Sequence, residues 1–320
     1  MATVTVYRWD DAGAPAVVEG RPSEHFNVLK KCLVEGYGNK LPAGWSVVHE
    51  SLPEEPPFIA LKNSATEGSG GALMVKSANN NANTRGTIQG CLDFVSSESQ
   101  ARVGPYFTVP LFGNGAGSPN RWIIIATSTA FFYYAFSESR QSFNFHGTFD
   151  HQCYFAGDLI SFYDNDPSKF VTLSGEINST SYGWNTQLNY LLGDNPAAIA
   201  GYIYALDGSE SKENLHITSC FGSPYVHQTS IQDSEPEIRV LSPIFATAKS
   251  YQLSSASVQG NSETNPFMRG RIPGIFASQE SGYRHKDMAF TKLIDGVNHL
   301  SIARANSGGI NFWLNLEEWL

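Results

Sequence analysis

Arg121-Trp-Ile-Ile-Ile-Ala-Thr-Ser-Thr-Ala-Phe-Phe-Tyr-Tyr-Ala-Phe136, RWIIIATSTAFFYYAF, carries the strongest strand signal in the 320 residues. Two runs of β-branched and aromatic residues flank the short polar break Thr127-Ser128-Thr129, which is the pattern of two strands joined by a turn. The apolar length falls short of the ~20 residues that a membrane helix needs. Downstream, QCYFAGDLISFY and KFVTLSGEI repeat the pattern, with GNGAGSPN before them and DNDPS between as turn segments. The middle of the chain therefore reads as a sandwich or meander and not as alternating βα units.

Working outward, Thr3 to Trp9 (TVTVYRW) alternates and reads as a first strand. After the loop DDAGAPAVVEGRP, Ser23 stands as an N-cap, and Phe26, Val28, Leu29, Cys32 and Leu33 recur at helical spacing. The segments GWSVVHE, FIALKNS, GALMVKSA and GTIQGCLDFVSS follow as short strands. A further short helix is expected around Asn195 to Leu206, and strands return in LHITSCF and EIRVLSPIFA. The fold expected is mainly β (α+β): an N-terminal module over 1–105 with one helix and antiparallel strands, a central β-rich module over 106–215, and a C-terminal β-rich region over 216–320. Val103-Gly-Pro105 marks the first boundary.

Composition narrows the functional classes. Charged residues make up 16% and aromatics 12%, and 21 basic against 30 acidic residues give a net charge of −9. No window gathers enough Lys and Arg to follow a phosphate backbone, so nucleic acid is not an expected partner. The opening Met-Ala-Thr-Val-Thr-Val reads as a strand and not as a signal region, and neither secretion by signal peptide nor membrane insertion is expected. The cysteines Cys32, Cys91, Cys153 and Cys220 stand about sixty residues apart; they read as buried free thiols and not as a disulfide framework.

Four clusters bear on chemistry. In Cys32-Leu-Val-Glu-Gly-Tyr-Gly-Asn-Lys-Leu-Pro-Ala-Gly-Trp45 the glycines follow a helix, whereas a phosphate cradle needs them between a strand and a helix N-terminus. Gly36 and Gly38 read as reversal points, and Pro42 and Gly44 as the launch of the next strand. His146, Asp150, His151 and Cys153 are metal-competent, but His216, Cys220 and His227 supply no matching second pair. Asp164-Asn165-Asp166 holds three oxygen-bearing side chains without the rest of a calcium loop, and reads as turn chemistry. Asp150, Asp158, Asp164, Asp166 and Glu176 read as solvated loop acids. Tyr182, Trp184 and Tyr190 are candidates for an interaction surface, stacking on a sugar or on a neighbouring subunit. No cofactor is expected, and no GxSxG, SxxK or HExxH occurs.

Three stretches resemble a broad group of tailed-bacteriophage virion proteins known as structural components. They are VTVYRWDDAGAPAV with VLKKCLVEGYGNKLPAGW, the central YFAGDLISFYDNDPSKFVTLSG, and near the end ASQESGYRHKD with INFWLNLEEW. Matching is poorer between 177 and 270. The DNDPS turn and the Asn-rich loop NNNANTR depart from the group's pattern, and both bear on which partner is touched. The resemblance implies a non-enzymatic virion component of the tail, neck or baseplate, assembled in the host cytoplasm and partnered by other copies of itself and other virion proteins. The alternatives are capsid decoration, an adsorption protein that binds or cleaves host-surface glycans, and a zinc hydrolase built on His146, Asp150, His151 and Cys153.

Overall fold

The computed structural model describes residues 2–51, 56–82, 84–111, 119–137, 151–179, 188, 199–220, 238, 240–249, 268–278, 290–302 and 311–319. The run RWIIIA forms most of β8 in a sheet whose two faces are both covered. To place it, the elements are given in chain order. β1 (Ala2–Thr3) and β2 (Thr5–Arg8) precede helix α1 (Pro22–Lys30) and a π-helical turn, Lys31–Glu35. A meander follows: β3 (Ser46–Glu50), β4 (Phe58–Lys62), β5 (Ala72–Ser77), β6 (Thr84–Ser96) and β7 (Ser99–Leu111). Then come β8 (Pro119–Ala126), β9 (Ala130–Ser137), β10 (His151–Asp158), β11 (Ile160–Ser161) and β12 (Phe170–Leu173). The rest are β13 (Gly201–Tyr204), β14 (Lys212–Thr218), β15 (Ser242–Lys249), β16 (Met268–Ser278), β17 (Thr291–Ile294), β18 (Val297–Ile302), β19 (Asn311–Asn315) and β20 (Glu318–Trp319).

These strands make three main antiparallel sheets. The middle one has the order β12-β10-β9-β8-β2; one neighbour is the β3-to-β7 meander, and the other runs β13-β14-β15-β16-β19-β18-β17 with β11 paired to β16. Strand periodicity explains the layering, because successive side chains point to opposite faces. Trp122, Ile124, Phe131, Tyr133 and Tyr154 join a core with the meander's Ile59, Leu73, Ile88 and Phe107. Ile123, Ile125, Phe132, Tyr134 and Phe155 join a second core with Ile217, Ala246, Ile275 and Phe312 of the C-terminal sheet. A sheet buried on both faces has no polar alternation, which is why RWIIIA reads as continuous.

The fold is thus the strand-rich, sandwich-like α+β architecture expected, with one helix of α type named among the described residues. α1 lays Phe26, Val28 and Leu29 into the first core, and Cys32 and Leu33 of the π turn continue that face. Its cap lies two residues before the expected one. Arg21 is the N-cap, Pro22 fills the first position where no N–H is needed, and Ser23 is already helical. The Glu24 carboxylate does the capping instead, accepting from the Gly20 and Arg21 N–H groups at 2.7 and 3.1 Å.

Other expectations need correcting. TVTVYRW is two strands in two sheets, since Ala2 and Thr3 pair with β20 while Thr5 to Arg8 pair with β8. Val103-Gly-Pro105 marks a register shift inside β7 and not a break: Gln89 opposes Tyr106 and Cys91 opposes Val103, so pairing with β6 continues on both sides. The expected limit at 215/216 likewise falls within β14. Of the helix expected around Asn195 to Leu206, residues 201–204 are strand β13, held by pairing with β14, and 195–198 lie outside the described residues. All four cysteines are free thiols, three of them buried, but Cys220 is exposed beyond the end of β14.

Candidate functional site: a polar cleft where the sheets meet

The glycine-rich stretch after the π turn starts the site. Gly36 (φ +80), Gly38 (φ +54) and Gly44 (φ +96) all adopt the positive φ that reversal requires. A Cβ on Gly36 would stand 2.5 Å from the Lys40 carbonyl oxygen, and one on Gly38 would fall on that of Ala12. The turn is tied back to the helix by Ala43 N–H to Cys32 O and Trp45 N–H to Leu33 O, at 3.1 and 3.0 Å. Trp45 then crosses to the middle sheet, where its indole N–H donates to Thr127 O at 3.0 Å and its ring meets Phe131 edge-on. Leu41, Pro42 and Ala43 are thereby carried to the β8–β9 turn, Thr127-Ser128-Thr129.

A second tie comes from the end of β10. Gly157, at φ +144, lies against Ala130, and the chain leaves the middle sheet at Asp158 to pair as β11 with β16. The Asp158 side chain accepts from Asn63 Nδ2 at 2.9 Å, from Ser69 Oγ at 2.5 Å and from the Ser69 N–H at 2.7 Å. Asn63 also donates to Thr129 O, and Ser64 N–H donates to Ser128 O, both at 2.9 Å. The β4–β5 loop is therefore pinned to two turns of the middle sheet. Burial raises the pKa of Asp158 above the ordinary carboxylate value, against the opposing pull of Ser69, Lys169 and Asn63. The Lys169 ammonium stands 3.7 Å from its Oδ2.

Between these ties lies a cleft of about 670 Å3. Thr3, Thr5, Pro42, Pro273 and Trp319 line it, and Glu67, Ser128, Asp158 and Lys169 supply polar groups. Ser128 Oγ donates to the Glu67 carboxylate. The volume is that of a small-molecule site, and the walls combine residues of β2, β8, β10, β11 and β16 with the loops before β3 and between β4 and β5.

Asp166 lies elsewhere. It accepts two bonds from Arg269 of β16, Nε and Nη2 each at 2.7 Å, plus Ser161 Oγ at 2.8 Å and Ser168 N–H at 2.9 Å. Its side chain is 1% exposed and that of Arg269 0%. Burial pushes its pKa up, but Arg269 and the hydrogen bonds outweigh that and hold it below the ordinary value.

The expected solvated acids divide accordingly. Asp164 and Glu176 are exposed, as solvated loop acids are, whereas Asp158 and Asp166 are buried and fully engaged. Asp158 meets Asn63 and Ser69 of the β4–β5 loop, and Asp166 meets Arg269 of β16, all distant in sequence. Cys153 is enclosed by hydrocarbon in the second core, and burial drives its thiol pKa far up, which disfavours the thiolate a metal needs. Among the described residues, no three His, Cys, Asp or Glu side chains gather as a metal would require. His146, Asp150, Tyr182, Trp184, Tyr190 and His227 lie outside the described residues, as does the side chain of His151. No helix of the described residues is long and apolar enough to cross a membrane.

Sequence reading missed Asn63, Glu67, Ser69, Ser128, Lys169 and Arg269. Their local context shows only turn or strand chemistry, and no motif marks them. Compared with known proteins, the chain matches no family model and no curated protein sequence.

Proposed function

We propose that this chain is a non-enzymatic structural component of a tailed-phage particle, of its tail, neck or baseplate, acting through contacts with copies of itself and with other virion proteins. The observation that carries this reading is the convergence of the three resembling stretches. Thr5 and Leu41 to Ala43 from the first, Asp158 to Ile160 and Lys169 from the second, and Trp319 from the third all border one cleft. What these stretches share is joinery. The glycines reverse the chain, Trp45 and Asp158 bind one layer to the next, and the Trp319 ring lies over Gly274 with its N–H donated to Asn315 O at 2.9 Å.

Buried cysteines with thiols pushed upward and carboxylates engaged in structural bonds support assembly more than turnover. Mass spectrometry of purified particles from a host producing this chain tests the reading. The expected result is the chain at a fixed ratio to the other virion proteins; particles that lack it reject the proposal. Cryo-EM density on the head shell would replace the tail assignment with capsid decoration.

A further inference from the structure

We propose that the cleft bordered by Glu67, Ser128 and Lys169 is a binding site for a neutral, polyhydroxylated ligand, namely a sugar or the terminal residue of a glycan. The argument is by charge, hydrogen-bonding capacity and shape. An anion would meet the Glu67 and Asp158 carboxylates with Lys169 as the lining ammonium, in a chain of net charge −9. A bare cation fares no better, because the lone pairs of Asp158 are taken by Asn63 and Ser69 and Lys169 stands 3.7 Å away. An apolar ligand would strip water from the Glu67 carboxylate and the Lys169 ammonium without replacing it.

What the lining does match is a ligand with hydroxyls around its edge and C–H groups on its faces. Glu67 and the Ser128 oxygen accept, Lys169 and the Thr3 hydroxyl donate, and Pro42 and Pro273 offer apolar contact. The Lys169 side chain is 31% exposed and its ion pair with Asp158 is long, which leaves its donors able to turn toward a ligand. The loops carrying Glu67 and Leu41 to Ala43 are held by the ties to Asp158 and Trp45, so the site is formed before the ligand arrives. This inference does not depend on the virion proposal.

The test is saturation-transfer NMR on the full chain with glucose, galactose, mannose, N-acetylglucosamine and their β-1,4-linked dimers at millimolar concentration. Inorganic phosphate and calcium chloride, followed by calorimetry, serve as counter-probes. Transfer to at least one sugar is expected, with affinity at least tenfold weaker in Lys169→Met. Glu67→Gln, on an exposed loop, should weaken binding in the same direction and covers the case in which Lys169→Met fails to fold. Absence of transfer from every sugar, sugar binding indifferent to both variants, or binding of phosphate or calcium in preference to sugars would each overturn the proposal. None of these outcomes alters whether the chain is found in particles.

Discussion

Replacing Arg269 by Met removes the guanidinium from a pair that water does not reach. Asp166 keeps the Ser161 and Ser168 bonds but loses both contacts to Arg269 at 2.7 Å, and its charge stays in a site where its side chain is 1% exposed. Breaking a buried pair from one side costs roughly 3–5 kcal/mol. The two surviving bonds place the expectation at the lower end, about 3 kcal/mol at pH 7, read from urea unfolding by tryptophan fluorescence. In the native protein the Asp166 pKa is lowered, so its stabilisation is present above the unfolded value of 3.8 and is lost as pH falls through the folded one. In the variant the orphaned carboxyl should titrate above 3.8, so the folded state gains a proton first. The difference between the two proteins should therefore shrink from pH 7 toward pH 3. Adding Asp166→Asn to Arg269→Met should recover part of the loss by removing the unpaired charge. A cost below ~1 kcal/mol at pH 7, a difference that ignores pH, or a double variant no better than the single one would refute the reasoning.

Gly38→Val should cost about 1–3 kcal/mol, from φ +54 and a Cβ placed on the Ala12 carbonyl, read as a lower urea midpoint at unchanged slope. Asp158→Ala should strand the Ser69 N–H and hydroxyl, cost about 2 kcal/mol, and speed hydrogen exchange at Ser69; unchanged exchange would mean the loop is held by other contacts. Because the folded pKa of Asp158 is raised, its protonated form favours folding. That contribution is full below the unfolded value of 3.8 and fades as pH rises through the folded one, so comparison with Asp158→Asn should show the native protein losing relative stability over that rise. With a thiol reagent at pH 8, Cys220 should react fast while Cys32, Cys91 and Cys153 wait for unfolding; a second fast thiol would contradict the burial described.

What could be read before folding was local. The helical face from Phe26 to Leu33, the reversals at Gly36 and Gly38 and the paired runs around Thr127 to Thr129 each follow from neighbours in sequence. Hidden was anything decided by a partner far away. RWIIIA declares a buried strand, yet nothing in it says that Ile123 and Ile124 enter different cores. The acids of SFYDNDPSKF look alike as turn residues, but Asp166 turns inward because Arg269 waits on β16, while Asp164 stays in water. Asp158 was obscured for the same reason, its partners Asn63 and Ser69 lying on the β4–β5 loop.

The position of β2 sets a timetable for synthesis. Thr5 to Arg8 form an edge of the middle sheet, but their partners on β8 follow roughly 120 residues later, a gap of about 6–24 s at ordinary ribosomal rates. During that interval α1 and the meander can associate, since their contacts are local, while Tyr7, wholly enclosed in the finished fold, has no strand to pair with. Ala2 and Thr3 wait longer still, for Glu318 and Trp319. β2 thus leaves the ribosome unmatched, and production at high rate should expose it to other chains before its own partner exists.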